Sequence, residues 1–535
     1  MTGGTTCGEA LVALLESYGV DVVFGIPGVH TLDLYDGLAR GRMRVVTTRH
    51  EQGAGFMADG YARVTGRPGV CFVITGPGVT NVATALGQAY SDSIPMLVIS
   101  SVNERKHLGK GRGRLHEITC QRAVTAPLSA FSATALAPED VPEFIARAFA
   151  VFEGERPRPV HIEIPIDVLG APAEFRPQNR PAVTRPAPSA SAIAEAVEQI
   201  AAAQRPVIVA GGGAAGCGVL LRELTEKAGA ALVLTTAAKG AVPEDHPLCV
   251  GSTLAIKETH ALLARADLVV AVGTELAETD LWAERLELGG RLVRIDIDPR
   301  VLHGDYRAEL AIQADAGTAL EMLVAALGER RESPATPRDD ETFRAARDGW
   351  RATLSPKQRK HAKALDTLRA ALPADAIVFT DATQIAYFGN SYYPCRRPRT
   401  WFHPVGYGTL GWALPAAIGA KLAPTSAPVI ALAGDFGFQF TAPELGTAVE
   451  LGLPLPIVLW NNDGLGEIRD SMEKRGSRPV GVEVYNPDFL ALARAYGCGA
   501  VRPESLAAFA DAVRAAASAD RPTLIELRED APYLS

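Results

Sequence analysis

The chain has 535 residues, 47% of them hydrophobic, with a formal net charge of −8; this is too long for one core, and at roughly 150 residues per domain about three or four domains are expected. Mild acidity spread along the chain excludes the basic footprint of a nucleic-acid binder. Seven scattered cysteines without metal-type spacing, no signal peptide before Cys7 and no apolar stretch long enough to span a bilayer predict a soluble cytoplasmic protein with reduced thiols.

A first block, expected over residues 1–170, alternates helical patterns with short apolar runs at Val22–Phe24, Val70–Ile74, Met96–Ser100 and Val160–Ile164. A helix is predicted to begin near Glu51, with Ala54, Gly55 and Ala58 permitting close packing and the carboxylate at its entrance. Without other context, a favourable charge at a helix N-terminus is the preferred account of Glu51. Thr75-Gly76-Pro77-Gly78 forms a glycine-rich strand-to-helix turn, where backbone can approach a ligand closely. A Pro-rich stretch, 171–190, reads as a linker. The central block, 190–330, repeats the arrangement with Val207–Ala210, Ala231–Leu234, Leu268–Val272 and Leu292–Ile295. Its Gly211–Gly216 run is a formal G-x-G-x-x-G, but the next strand ends in Thr235-Thr236 rather than an acid, so no dinucleotide is expected there. A second Pro-rich stretch, 331–342, precedes the third block, 355–535, with runs at Ile377–Thr380, Val429–Ala433, Ile457–Trp460 and Thr523–Leu527. Continuous rather than alternating apolar strands belong to parallel sheets covered on both faces. The predicted fold class is therefore α/β, with three doubly wound parallel-sheet domains.

Within the third block, an apolar run ending in Gly434-Asp435, a helix, and a second run ending in Asn461-Asn462 read as a βαβ unit with polar oxygens at both strand ends. Thr441 and Glu444 are expected to form a capping box, with Pro443 in the first turn, starting the helix just past the Asp435 loop. Free N–H groups there suit a diphosphate, and Asp435, Asn462 and a carbonyl near Gly464 offer an oxygen shell for Mg²⁺. Taken singly, each segment also reads as an ordinary turn.

Four motifs now fall in order: RHEQGAGFMADGYAR (Arg49–Arg63), TGPGVTN (Thr75–Asn81), GYGTLGWALPAAIGA (Gly406–Ala420), and Gly434-Asp435 with Asn462 27 positions after the Asp. Together they resemble the thiamine diphosphate enzymes of the acetolactate synthase and 2-oxo acid decarboxylase group. The resemblance implies pyrimidine-binding, central and diphosphate-binding domains, with thiamine diphosphate and Mg²⁺ as cofactors. It implies that Asp435, Asn462 and the Gly464 carbonyl hold Mg²⁺, with Gly76, Thr383, Gln384, Phe436, Gly437 and Leu465 beside the cofactor. Glu51 would contact the aminopyrimidine and exchange a proton with it. The Gly408 carbonyl would receive the exocyclic amine, and Leu410 would be the wedge that bends the cofactor. Two subunits would build each site, in a homodimer or homotetramer.

Departures from the family sharpen the reading. Phe436 replaces a small residue, so its ring is expected to point away from the diphosphate or stack on the adjacent strand, with Gly437 supplying flexibility. Failing that, the chain would be a non-catalytic regulatory or scaffolding relative. The Val272–Trp282 segment lacks the arginine-bearing, flavin-contacting stretch of acetolactate synthases, so FAD is not expected. Ser471 stands where those synthases place a tryptophan, leaving room for a longer substrate. Glu467 replaces an apolar residue, and Glu275, Glu278 and Asp280 cluster in the central block. An acidic lining pairs best with a guanidinium tail; a solvated face is the alternative. FGIPGVHTLDLYDGL, GKGRGRLHE and VLWNNDGLGEIRD resemble bacterial 5-guanidino-2-oxopentanoate (2-ketoarginine) decarboxylases, which implies release of CO₂ and 4-guanidinobutanal. An acetolactate synthase-like carboligase is the alternative activity. The paired histidines of pyruvate decarboxylases are absent, leaving His30 and His116 as candidate protonating acids or structural loop residues.

Overall fold

Strands form where the apolar runs predicted them, because each run is buried on both faces of a parallel sheet. The computed structural model describes residues 4–175, 183–328 and 340–535. Residues 176–182 of the first predicted linker and 331–339 of the second lie outside the described residues.

The N-terminal sheet comprises β1 (Val22–Gly25), β2 (Arg44–Thr47), β3 (Gly69–Val73), β4 (Met96–Val102), β5 (Phe131–Thr134) and β6 (Val160–Pro165), ordered β2-β1-β3-β4-β6-β5. The central sheet comprises β7 (Pro206–Ala210), β8 (Ala231–Leu234), β9 (Cys249–Gly251), β10 (Leu268–Val272), β11 (Arg291–Asp296) and β12 (Leu310–Gln313), ordered β12-β11-β10-β7-β8-β9. The C-terminal sheet comprises β13 (Ile377–Thr380), β14 (Trp401–Phe402), β15 (Val429–Gly434), β16 (Pro456–Asn461), β17 (Gly499–Val501) and β18 (Thr523–Arg528), ordered β14-β13-β15-β16-β18-β17. The first and third sheets thus share one topology, and the central sheet has the dinucleotide-fold order. Its glycine turn after β7 packs on Gly273 and Thr274, the loop after β10.

One continuous core joins the N- and C-terminal domains, with Phe56 and Met57 packed among Trp412, Leu414 and Ile418. It forms where helix Glu51–Thr65 lies on helix Ala413–Lys421. Backbones meet closely there: a Cβ on Gly60 would lie 2.0 Å from the Ala416 carbonyl, and one on Gly419 1.9 Å from that of Met57. Arg63, buried in this contact, bridges Asp59 at 2.5 Å and Asp92 at 2.7 Å and lies over the Trp412 ring. Phe343, on helix Glu341–Arg347, packs into the central domain's core. Among the described residues, no helix is long and apolar enough to cross a membrane.

Candidate active site

In the C-terminal sheet the chain passes from β13 outward to β14 and then back across to β15, so the strand order reverses between β13 and β15. Crevices at such switch points are where open α/β sheets place ligands. The carboxyl ends of these strands carry Asp381 and Asp435, and the end of neighbouring β16 carries Asn461 and Asn462.

Asp435 is buried and is the first residue of helix Asp435–Thr441. This corrects the predicted capping box. Thr441 Oγ1 donates to the Gly411 carbonyl at 2.7 Å, and Glu444 begins a separate helix, Glu444–Glu450. Glu444 Oε1 accepts the backbone N–H groups of Arg49 and His50 at 3.0 and 3.1 Å. The C-terminal domain thereby grips the turn that leads into the Glu51 helix.

Asp435 Oδ2 accepts Gly464 N–H at 2.9 Å and Asn486 Nδ2 at 2.7 Å. Burial pushes its carboxyl above the usual range, opposed by those donors. The side-chain amide of Asn462 sets one end 2.9 Å from the Gly464 carbonyl and 3.2 Å from Asp435 Oδ1. With Oδ1 inward, three acceptor oxygens converge and need a cation; with nitrogen inward, the amide donates to both. Neighbouring oxygens around octahedral Mg²⁺, at 2.0–2.1 Å each, sit about 2.9 Å apart. One carboxylate, one amide oxygen and one carbonyl therefore fit a Mg²⁺ that keeps phosphate and water for its other ligands. A cluster of three or more His, Cys, Asp or Glu side chains is not found among the described residues, and this donor set does not require one.

Around this shell, Thr383 precedes helix Gln384–Tyr392, and the Gln384 amide nitrogen donates to Glu467 at 3.1 Å and to Asp470 at 2.8 Å. Its Oε1 faces Asn462 Nδ2 at 3.3 Å in the first amide orientation. Leu465 immediately precedes helix Gly466–Lys474. The Phe436 ring packs edge-on against Phe440 one turn along the same helix, centroids 5.5 Å apart. Gly437 is helical, and its role is close approach rather than flexibility, since a Cβ there would lie 2.8 Å from Asp381 Oδ2 and 3.5 Å from Leu410. Asp381, pushed up to about 6 by burial, accepts Gly411 N–H at 2.9 and 3.0 Å and fixes the loop carrying Gly408 and Leu410. Gly408 has φ +66° and is exposed.

The N-terminal candidates gather separately. Glu51 is the buried first residue of its helix and accepts Asn81 Nδ2 at 2.9 Å. His30 and His116 come together edge to face at 5.4 Å, and His30 Nδ1 meets Thr75 Oγ1 at 3.0 Å. Burial, then the neighbouring His116, holds His30 below its usual value. Gly76 donates its N–H to Gln121 Oε1 at 2.8 Å, closing the turn against the His116 backbone.

Of the predicted acids, Glu275 forms an ion pair with Arg156 and is held below the usual carboxylate range against its burial, which corrects its place in a free acidic lining. Asp280 leaves Oδ1 buried without a hydrogen bond to the described residues, and burial pushes its carboxyl up to about 7. Glu278 and Glu467 are both exposed, and Glu467 is the acid anchored at the switch point. Trp282, 63% exposed, meets Tyr387 edge to face at 5.8 Å. The sequence reading missed Asp381 and Asn486. Asp381 ends a predicted apolar run, a signal of the kind that identified Asp435, whereas Asn486 lies in a loop 51 positions beyond its partner.

Comparison with known proteins gives three family matches in chain order. These are the N-terminal TPP binding domain of thiamine pyrophosphate enzymes over residues 5–124, their central domain over 193–323 and their C-terminal TPP binding domain over 381–527. The probable 2-ketoarginine decarboxylase AruI of Pseudomonas aeruginosa is 54% identical over 530 residues, 98% of this chain and 94% of that protein. The acetolactate synthase large subunit of Corynebacterium glutamicum is 34% identical, covering 98% of this chain and 86% of its own length. The isozyme 1 large subunit of Escherichia coli acetolactate synthase is 32% identical, covering 92% and 88%.

Proposed function

The chain belongs to the thiamine pyrophosphate enzyme family, and from that premise we propose that it decarboxylates 5-guanidino-2-oxopentanoate to 4-guanidinobutanal and CO₂, using thiamine diphosphate and Mg²⁺ in the cytoplasm. The observation that carries the choice of substrate is Glu467, an exposed carboxylate tied through Gln384 to the switch-point crevice. The near-full-length identity to a probable 2-ketoarginine decarboxylase supports the same choice.

Asp435, Asn462 and the Gly464 carbonyl would hold Mg²⁺, which would supply positive charge for a diphosphate. Thr383, Gln384, Gly437 and Leu465 would line that pocket, with the Phe436 ring packed on Phe440. Leu410, beside Gly437 and on the loop fixed by Asp381, would pack against thiamine diphosphate, and the Gly408 carbonyl would accept a hydrogen bond from it. Glu51, with one oxygen oriented by Asn81, would hold the proton that is exchanged with the cofactor's pyrimidine ring. The chemistry thiamine diphosphate supplies when bound is an electron sink for the pair left as CO₂ departs. His30, its Nδ1 engaged by Thr75, exchanges protons through Nε2 beside His116. Glu467 receives the guanidinium, with Trp282 and Tyr387 offering aromatic faces nearby. Within one chain the turn before Glu51 is held by Glu444 of the C-terminal domain; the complete site we take, from family membership, to be assembled between two subunits of a homodimer or homotetramer, with Glu51 from one and Asp435 from the other. No FAD is assigned to the central domain.

Product analysis tests this reading. Purified protein with thiamine diphosphate and Mg²⁺ is incubated separately with the guanidino acid and with pyruvate. The aldehyde from the first is the expected product; acetolactate from pyruvate as the main product would instead make the chain a carboligase.

A further inference from the structure

We infer that the cleft between the central and C-terminal domains is a binding site for a small organic dianion. The cleft has a volume of about 560 Å³, inside the roughly 300–1,000 Å³ usual for small-molecule sites. Its walls bring together Glu244 and Asp245 of the central domain, Arg347 and Arg351 of the connecting segment, and Arg369 and Arg396 of the C-terminal domain. It is separate from the candidate active site. Helix Gln384–Tyr392 starts at the switch point and reaches the cleft at Ser391, about 10 Å along its axis at 1.5 Å per residue.

The acids do not balance the four arginines. Glu244 is already paired at 2.7 Å with buried Lys239. That leaves Asp245, 3.1 Å from Arg396, and Asp348, 3.4 Å from Arg351. Arg369 donates to the Tyr393 hydroxyl at 3.1 Å and the Leu372 carbonyl at 2.7 Å, neutral acceptors that leave its charge in place. Arg347 donates to the Pro247 carbonyl at 3.0 Å, yet its buried Nε makes no hydrogen bond to any described residue, with Asp348 3.5 Å away. A buried donor without an acceptor is costly, and guanidinium forks match carboxylate and phosphate oxygens. Two positive charges remain unmatched, so a dianion fits and a monoanion leaves one over.

Calorimetric titration of the enzyme saturated with thiamine diphosphate and Mg²⁺ tests the site, since the cofactor crevice is then filled. Succinate and glycerol 3-phosphate serve as carboxylate and phosphate dianions, and acetate as the monoanion, all at one ionic strength. The expected result is saturable binding of at least one dianion, one per chain, weakened tenfold or more in an Arg351→Gln/Arg396→Gln double variant. These side chains are 39% and 69% exposed, so folding should be retained; Arg396→Gln alone, the more exposed change, should also weaken binding. The inference is overturned if neither dianion saturates, if acetate binds equally well, or if binding is undiminished in both variants.

Discussion

Asp435 accepts two hydrogen bonds through Oδ2 and turns Oδ1 toward Asn462. Asp435→Asn keeps the acceptor for Gly464 N–H but removes the charge a divalent cation needs, so calorimetry should show Mg²⁺-dependent thiamine diphosphate binding weakened about 100-fold or more, with little change in folding. Glu51→Gln keeps a partner for Asn81 and removes the exchangeable proton. It should lower kcat by about 10²- to 10⁴-fold while cofactor affinity, measured in the same way, changes little. Glu467→Gln should raise KM for the guanidino acid by roughly tenfold or more, the worth of a charge-assisted hydrogen bond, and leave pyruvate kinetics nearly unchanged. The approach of Asn462 to Asp435 and the place of Glu51 at the start of its helix were legible in the sequence because each residue sits inside a short contiguous motif. Asn486 was not, because only folding brings it to Asp435, and the pairing of His30 with His116 arises in the same way.

At the scale of elements, the four inner strands of every sheet were legible and both edge strands were not. Inner strands such as β3 and β16 are buried throughout and so read as unbroken apolar runs. Edge strands β2, β5, β12 and β17 are partly exposed, while β9 and β14 have only three and two residues, so tertiary pairing rather than local pattern defines them. The Thr441–Glu444 spacing suggested a cap for a similar reason. Local sequence offered one, but a long-range set of donors to Glu444 took precedence. Gly60→Ala would push a methyl group into the Ala416 carbonyl and separate the two helices. A loss of about 1–3 kcal/mol is expected, read as a lowered Tm with the same cofactor stoichiometry. His161 and His403 are buried, and burial pushes both from 6.5 down to about 3. Between those values the unfolded chain takes up protons that the folded one refuses, so stability contributed by both residues falls as pH drops from 6.5 toward 3. Denaturant titrations at pH 7 and pH 5 should show the lower stability at pH 5, with a smaller difference in His161→Gln.

For the whole molecule, the N- and C-terminal sheets share one strand order, β2-β1-β3-β4-β6-β5 and β14-β13-β15-β16-β18-β17, and one core joins the two domains within the chain. If each site takes Glu51 from one chain and Asp435 from another, mixing Glu51→Gln with Asp435→Asn subunits under exchange conditions should restore about a quarter of wild-type activity, from hybrid dimers with one intact site. Sites confined to single chains would restore none. The most direct measurement is CO₂ release from equal, subsaturating concentrations of 5-guanidino-2-oxopentanoate and pyruvate, with and without thiamine diphosphate and Mg²⁺. Cofactor-dependent release at least tenfold faster from the guanidino acid is expected; equal rates, faster release from pyruvate, or release independent of the cofactors would contradict the assignment.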